Sequence, residues 1–369
     1  MVVLVCQCHQ LVERKEDEMK VLYLSAWYPT ERDAMAGLFV QKHAEAVMQQ
    51  GVDVKVLYTE ATGIKWYIEM WRMWQTLKIE WGVPDVVQMN VLDKNGILAY
   101  WLKLRYNIPY VIIEHWTGYL PANFAFRNGL HGRIMKAIAR QAACILPVSK
   151  TLEEAMKKCG LANKNWQCIN NVVDDFFYEP ILPISIPEKT TNKVRLLHVS
   201  CFSERAKNIQ GILRAARKVA DERQDFEIIF IGTGVDFQTD VDYANSLKFP
   251  DGIVYFTGEQ TPYEVAQWMQ HSDVFVLFSR FETFAIVLAE AMVVGIPIIC
   301  SKTAGIAEHL PEECGIVVEV NDDDAFTEAL REMIGQHAKY SAERIRKHGQ
   351  QYTYHAVGKK LLEIYKSVL

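Results

Sequence analysis

Two carboxylates eight residues apart, Glu282 and Glu290, stand in the run Ser279-Arg280-Phe281-Glu282-Thr283-Phe284-Ala285-Ile286-Val287-Leu288-Ala289-Glu290-Ala291-Met292-Val293-Val294-Gly295-Ile296-Pro297. The pattern predicts a buried strand ending at Phe278 or Ser279 and a helix from about Thr283 to Val294. Glu290 is the only charged residue of that helix, so the helix is expected to be buried most of the way round. A lone carboxylate there needs hydrogen-bonding partners to offset its desolvation. Glu282 falls at the strand-to-helix turn, where open α/β sheets bind ligands. Backbone N–H groups opening such a helix suit a phosphate. Two carboxylates reaching one cleft would suit the vicinal hydroxyls of ribose and of a sugar. The bland alternative is a pair of capping or surface carboxylates, which are common; the apolar setting and the turn position favour a site.

The elements that must hold these residues are legible as an alternation. Apolar strand-like runs occur at Lys20–Trp27, Asp53–Thr59, Asp85–Val91, Pro109–His115, Ala143–Ser149 and Cys168–Val173, with helical periodicity between them, as in Phe39–Gln50 and Thr151–Lys158. Nearly continuous apolar strands are covered on both faces, and alternation with helices implies parallel sheets with crossover helices. Three prolines between Glu179 and Pro187 break any regular element, which places an interdomain linker there. The pattern restarts with strands at Val194–Ser200, Phe226–Gly232, Val254–Gly258, Val274–Ser279, Ile296–Ser301 and Gly315–Val320. The expected organisation is a disordered leader over 1–18, with Met19 the natural start, then α/β domains over 19–180 and 188–350. The terminal stretch 351–369 reads as an amphipathic helix packing back on the first domain.

Composition excludes several classes. Of 369 residues, 50% are hydrophobic and 23% charged, enough for two globular cores. No apolar run reaches the length of a membrane span, and the start lacks the features of a signal peptide. Eight cysteines without a C-x-x-C pair point to free thiols in a reducing, cytoplasmic setting. Residues 19–180 carry 18 Lys/Arg against 15 Asp/Glu, and residues 181–369 carry 20 against 26. No basic stripe interleaved with aromatics appears, so nucleic acid is not an expected partner.

With these residues in view, the run from Glu282 to Pro297 resembles the donor site of retaining glycosyltransferases of family 4, which have the GT-B fold of two Rossmann-like domains whose parallel sheets face a central cleft. The family pattern is E-[ST]-F-G-x-x-x-x-E-A-x-x-x-G-x-P. Glu282, Thr283, Phe284, Glu290, Ala291, Gly295 and Pro297 match it; Ala285 stands where the family usually has Gly. Ala304-Gly305-Ile306-Ala307-Glu308 is similar to the family's G-G-x-x-E. The resemblance implies donor contacts from Glu282, Thr283, Phe284, Ala285 and Glu290. In Leu196–Asn208, Lys207 takes the place of the lysine that reaches the donor diphosphate in the family. Cys201 falls where an arginine is expected, and Arg205 is the candidate to supply the missing charge. Gly37 follows the first strand and opens a helix, where glycine lets backbone approach a ligand; the family uses this loop near the donor phosphates and acceptor. His115 ends the fourth strand and resembles the family histidine that contacts the transferred sugar.

The resemblance therefore implies a hexosyltransferase of polysaccharide, lipopolysaccharide or glycolipid synthesis, with His115, Lys207 and Glu282 as catalytic residues. It implies retention and no metal or cofactor, a UDP- or GDP-linked sugar being the substrate. The expected partners are that nucleotide sugar and a glycan or glycolipid acceptor. Two other readings stay open: a GT-B nucleotide-sugar epimerase, and a non-catalytic binding subunit of a polysaccharide assembly complex, suggested by Cys201 and Ala285.

Other motifs are discounted. Asp240-Val241-Asp242 fits a metal-binding D-x-D but reads as a solvated loop. Asp322-Asp323-Asp324 reads as a helix N-terminus, where acids suit the dipole. Gly232-Thr233-Gly234 is a fragment of a dinucleotide fingerprint. On a helix from Trp66, one stripe holds Trp66, Met70 and Met73 and an adjoining one Tyr67, Trp71 and Trp74. These stripes fit core packing, an acceptor groove, or a face lying on the cytoplasmic side of a membrane.

Overall fold

The computed structural model describes residues 18–33, 35–181, 186–187 and 193–369. The leader expected over 1–18 lies, save Glu18, outside the described residues. The chain divides into two compact units, Met1–Val172 with Tyr354–Leu369, and Val173–Thr353.

The first unit is built on a five-stranded parallel sheet of β1 (Lys20–Ser25), β2 (Asp53–Leu57), β3 (Val86–Asn90), β4 (Tyr110–Glu114) and β5 (Cys144–Pro147) in the order β2-β1-β3-β4-β5. Val21, Leu22, Tyr23 and Leu24 are all buried, as the unbroken apolar run requires of a strand covered on both faces. The terminal helix Tyr354–Val368 packs on the helix Leu38–Met48. Gly358 permits the close approach, because a Cβ there would lie 2.1 Å from the Ala46 carbonyl oxygen. Tyr365 adds a buried polar anchor: its hydroxyl lies 3.0 Å from that of Tyr23 and donates to Gln88 Oε1. Val357, Leu361 and Ile364 join the core of this unit, each burial contributing roughly 1.5–3 kcal/mol.

The second unit carries a six-stranded parallel sheet of β6 (Val194–Val199), β7 (Phe226–Ile231), β8 (Val254–Gly258), β9 (Val274–Leu277), β10 (Ile298–Ser301) and β11 (Gly315–Val318) in the order β11-β10-β9-β6-β7-β8. Within it, the register partners Arg195 of β6 and Glu227 of β7 form a buried pair at 2.6 Å. The Gly232-Thr233-Gly234 fragment proves to be a packing device: a Cβ at Gly232 would meet the Ser200 carbonyl oxygen at 1.9 Å, and one at Gly234 the Phe202 carbonyl oxygen at 2.4 Å.

Four sequence expectations are corrected. Cys168–Val173 is not a strand; hydrogen bonding to β5 stops at Ile169, and the Asn170 carbonyl turns instead to His43 Nε2 at 3.0 Å. The chain enters the second unit before the proline-rich run, because Tyr178 donates to the Gly349 carbonyl and the Ile181 N–H to Gln270. The D-x-D aspartates are on the helix Phe237–Ser246, not in a loop. Asp240 is fully buried against Gln210, and burial raises its carboxyl to about 6. In the helix Gly63–Glu80, Trp74 joins Trp66 and Met70 in the buried stripe, leaving Tyr67 and Trp71 exposed. Asp322, as expected, caps the helix Asp323–Gln336 by accepting from the Ala325 N–H.

Candidate active site

In the second unit, the loop after β9 faces the short helix Glu204–Lys207 that follows β6, both at the carboxyl edge of the sheet. β6 and β9 are neighbours, which brings Lys207 and Glu282 together across 75 positions of sequence. Lys207 Nζ donates to Glu282 Oε1 at 2.5 Å, and Ser279 Oγ donates to the same oxygen at 2.8 Å. The two side chains retain only 15% and 12% of their exposure. Burial alone would lower the Lys207 ammonium; the charge of Glu282, with Cys201 and the hydrogen bond, outweighs it and leaves the pKa raised. Below, His198 is buried neutral at about 4, chiefly through desolvation, with Ser200 Oγ and the Val276 carbonyl on its two nitrogens.

Arg280 braces the two loops. Its N–H donates to the Ala206 carbonyl at 2.7 Å, and its guanidinium reaches Glu204 Oε1 at 3.2 Å and Asn208 Oδ1 at 2.6 Å. Arg205 is exposed on the Glu204–Lys207 turn, as is Cys201 before it. Arg280 is thus a braced cation of this loop pair, as is Lys207.

The helix after the loop is Ile286–Val294, three residues shorter at its start than the sequence pattern suggested. Thr283 and Phe284 belong to the loop, and Ala285 is the N-cap in the left-handed region, with φ 61°. That conformation explains the glycine of the family pattern, since a Cβ costs roughly 1–2 kcal/mol there. Among the described residues no side chain caps this end, which leaves its first N–H groups and the positive end of the dipole at the sheet edge. The Gly305 turn supports it: a Cβ at Gly305 would lie 2.4 Å from Phe284 Cα, and the Ile306 N–H donates to the Phe284 carbonyl. Glu290 is half-buried on the same helix, one turn further along than the N-terminal residues.

In the first unit, Gly37 opens the helix Leu38–Met48 with φ 67°, and its α-carbon lies so close to Trp27 that a Cβ would be 2.5 Å from that residue's carbonyl. The Gly37 turn leads into Phe39, whose ring lies against that of His115 with centroids 3.8 Å apart and planes tilted by 33°. His115 is buried, and desolvation followed by the proximity of His43 holds it well below its usual pKa, so the ring is neutral. Its Nε2 has no hydrogen-bond partner among the described residues. A buried polar atom left in that state needs a reason, and a ligand is one. Glu114 holds the loop: its Oε1 accepts the N–H groups of His115 and Trp116 at 2.9 Å each, and its Oε2 that of Leu92 at 3.0 Å.

Sequence comparison agrees with this layout. Residues 4–171 match the family described as Glycosyl transferase 4-like domain, and residues 193–336 match Glycosyl transferases group 1. The chain belongs to the GT-B glycosyltransferases. It is 29% identical over 191 residues to N-acetyl-alpha-D-glucosaminyl L-malate synthase of Bacillus anthracis, covering 49% of this chain and 48% of that one. It is 24% identical over 203 residues to the lipopolysaccharide 1,6-galactosyltransferase of Escherichia coli (strain K12), covering 54% and 55%. Each match thus spans about half the length of the curated relative. The Anabaena protein HepE, solved in complex with UDP and glucose, shares the fold at TM-score 0.71 and 16% identity, over 95% of this chain and 100% of that one.

The glycosyltransferase thus gathers the residues singled out from sequence into two groups. Lys207, Glu282, Thr283, Phe284 and Ala285 meet in the second unit, with Glu290 further along the helix; Gly37 and His115 are linked through Phe39 in the first. Sequence reasoning missed Ser279, Arg280 and Asn208, whose roles depend on the β6–β9 neighbourhood, and Glu114 as a loop anchor. For Glu114 a signal existed: a carboxylate ending a wholly apolar strand must satisfy its oxygens locally.

Proposed function

We propose that this glycosyltransferase moves a sugar from a UDP- or GDP-linked donor to a hydroxyl acceptor, with retention of anomeric configuration and without a metal, in polysaccharide, lipopolysaccharide or glycolipid synthesis. The observation that carries the reading is the Lys207–Glu282 contact beside the uncapped start of the helix Ile286–Val294. Negative charge grows on the diphosphate as the glycosidic C–O bond breaks. A preorganised ammonium and a helix N-terminus stabilise that charge in place of a cation. Glu282 and Glu290 accept from donor hydroxyls, Thr283, Phe284 and Ala285 present backbone to the diphosphate, and Arg205 adds a peripheral cation. Gly37 keeps its loop close to the phosphates. His115 offers its unpartnered Nε2 to the transferred sugar. The acceptor hydroxyl attacks the face the diphosphate leaves, and the departing phosphate oxygen takes its proton.

Turnover of a panel of nucleotide sugars, with the product's anomeric configuration read by NMR, tests the reading. An inverted product removes retention. Loss of activity in EDTA, restored by a divalent cation, removes metal independence. Absence of turnover with every donor leaves the binding-subunit alternative standing.

No described helix is long and apolar enough to cross a membrane. Residues 61–141 nevertheless hold ten Lys/Arg against five Asp/Glu, with Tyr67, Ile68 and Trp71 exposed among them. Basic residues around exposed aromatics favour peripheral contact with an anionic membrane surface. Flotation with phosphatidylglycerol vesicles, but not with phosphatidylcholine alone, is the expected result.

A further inference from the structure

A guanidinium carries five N–H donors in a fixed plane. Arg280 directs all of them at the protein. Its Nε donates to Asn321 Oδ1 at 3.1 Å. Its Nη1 donates to the Glu204 carbonyl and, at 3.2 Å, to Glu204 Oε1. Its Nη2 donates to the same carboxylate oxygen at 3.2 Å and to Asn208 Oδ1 at 2.6 Å. The side chain therefore keeps no donor for a ligand, although it stands two positions before Glu282. It joins three loops at the carboxyl edge of the second sheet: its own after β9, the turn after β6, and the loop after β11 that holds Asn321.

The geometry converges on one residue. The Arg280 backbone N–H donates to the Ala206 carbonyl at 2.7 Å, and its guanidinium holds the Asn208 side chain, so the residues on both sides of Lys207 are gripped by a single arginine. Asn208 is buried in the left-handed region at φ 52°, which asparagine enters more readily than most side chains, and its N–H closes the turn on the Glu204 carbonyl. Its side chain packs on Gly211, where a Cβ would lie 2.6 Å from Oδ1. Glu204 is fixed in turn: its Oε2 accepts the Gln210 N–H at 3.0 Å, and its own N–H donates to Asp236 Oδ2 at 2.9 Å.

We infer that Arg280 is a positioning residue for Lys207: it makes no contact with the donor and sets the turn from which the ammonium reaches the departing diphosphate. The inference rests on the transferase reading above. Displacing a reacting or stabilising group by about 1 Å can cost about a hundredfold in rate. A cation acting through its charge alone could be replaced by lysine. A planar fork that ties three loops could not, because lysine has three donors on a flexible stem.

The test uses the full chain, with kcat, KM, UDP or GDP affinity and Tm measured on the same preparations. Arg280→Lys and Arg280→Gln should each lower kcat by about thirtyfold to a hundredfold, with diphosphate affinity within about threefold of wild type. In a Lys207→Ala background, Arg280→Gln should cost less than about threefold in kcat, because the group it positions is gone. Arg280→Gln strands the Glu204 carboxylate and should lower Tm; Arg280→Gln/Glu204→Gln should recover Tm and keep the low kcat. Acetylation of Lys207 by acetic anhydride, read by mass spectrometry, needs no turnover and should run at least about threefold faster in Arg280→Gln, as the turn opens. The inference is overturned by wild-type kcat in Arg280→Lys, by an undiminished effect of Arg280→Gln in the Lys207→Ala background, by recovery of kcat together with Tm in the double variant, or by an unchanged labelling rate. Absence of turnover with every donor would sink the transferase reading, while the labelling rate would still report on the turn.

Discussion

Lys207→Ala separates chemistry from packing. The Lys207–Glu282 pair lies between two limits: exposed pairs contribute up to about 1 kcal/mol, and breaking a fully buried pair costs about 3–5 kcal/mol. With side chains 15% and 12% exposed and Ser279 still donating to Glu282, the stability loss should be about 1–3 kcal/mol. In a unit of this size that is roughly 3–10 °C in Tm. Turnover should fall more steeply, by about a hundredfold to a thousandfold, because a preorganised charge on the leaving group is lost in the transition state. Nucleoside diphosphate affinity should fall less than kcat. The double variant Lys207→Ala/Glu282→Gln removes the orphaned charge and should recover most of the Tm without recovering turnover. Calorimetry, diphosphate titration and donor kinetics on the same preparations decide it. Recovery of turnover together with Tm, or a Lys207→Ala kcat within about threefold of wild type, would refute a role for this ammonium in leaving-group stabilisation.

His115→Phe keeps the ring contact with Phe39 but deletes Nε2, so Tm should hold while turnover drops about a hundredfold with diphosphate binding unchanged; wild-type turnover would remove His115 from the site. Ala285→Gly relieves the left-handed backbone but adds unfolded-state entropy and loses a buried methyl, so denaturant titration should show stability within about 1 kcal/mol of wild type and donor affinity no weaker. His43 and His198 are both buried neutral with pKa near 4, against 6.5 when unfolded. The unfolded chain therefore takes up protons first as pH falls. The stability each contributes is complete above pH 6.5 and is lost as pH drops through 4, about 3 kcal/mol per group over that window. His198→Gln should flatten the urea midpoint between pH 6.5 and 4, and an unaltered slope would show that its burial does not control acid stability.

What the sequence discloses is burial, because burial leaves a local trace. The strands were readable since runs such as Val21–Leu24 or Ile228–Ile231 can be apolar throughout only if both faces are covered, and parallel order follows from the intervening helices. Asp240 misled because it is held by Gln210, thirty positions away, in a stretch that is mostly polar. Cys168–Val173 has a strand's composition and lacks only a partner beyond Ile169. The site divides the same way. Glu282 could be placed from its position at the end of a buried strand, and Ala285 and Gly305 through the family pattern they resemble. Arg205 and Arg280, by contrast, are two cations on two loops with nothing local to rank them. Strand adjacency in the order β9-β6 brings the loop after β9 against the turn after β6, and so puts Arg280 within reach of Glu204 and Asn208. The same adjacency makes the Lys207–Glu282 contact. Charge placement in this fold is thus a property of strand order, and a variant that disturbs the β6–β9 pairing should damage the site even with every site residue intact.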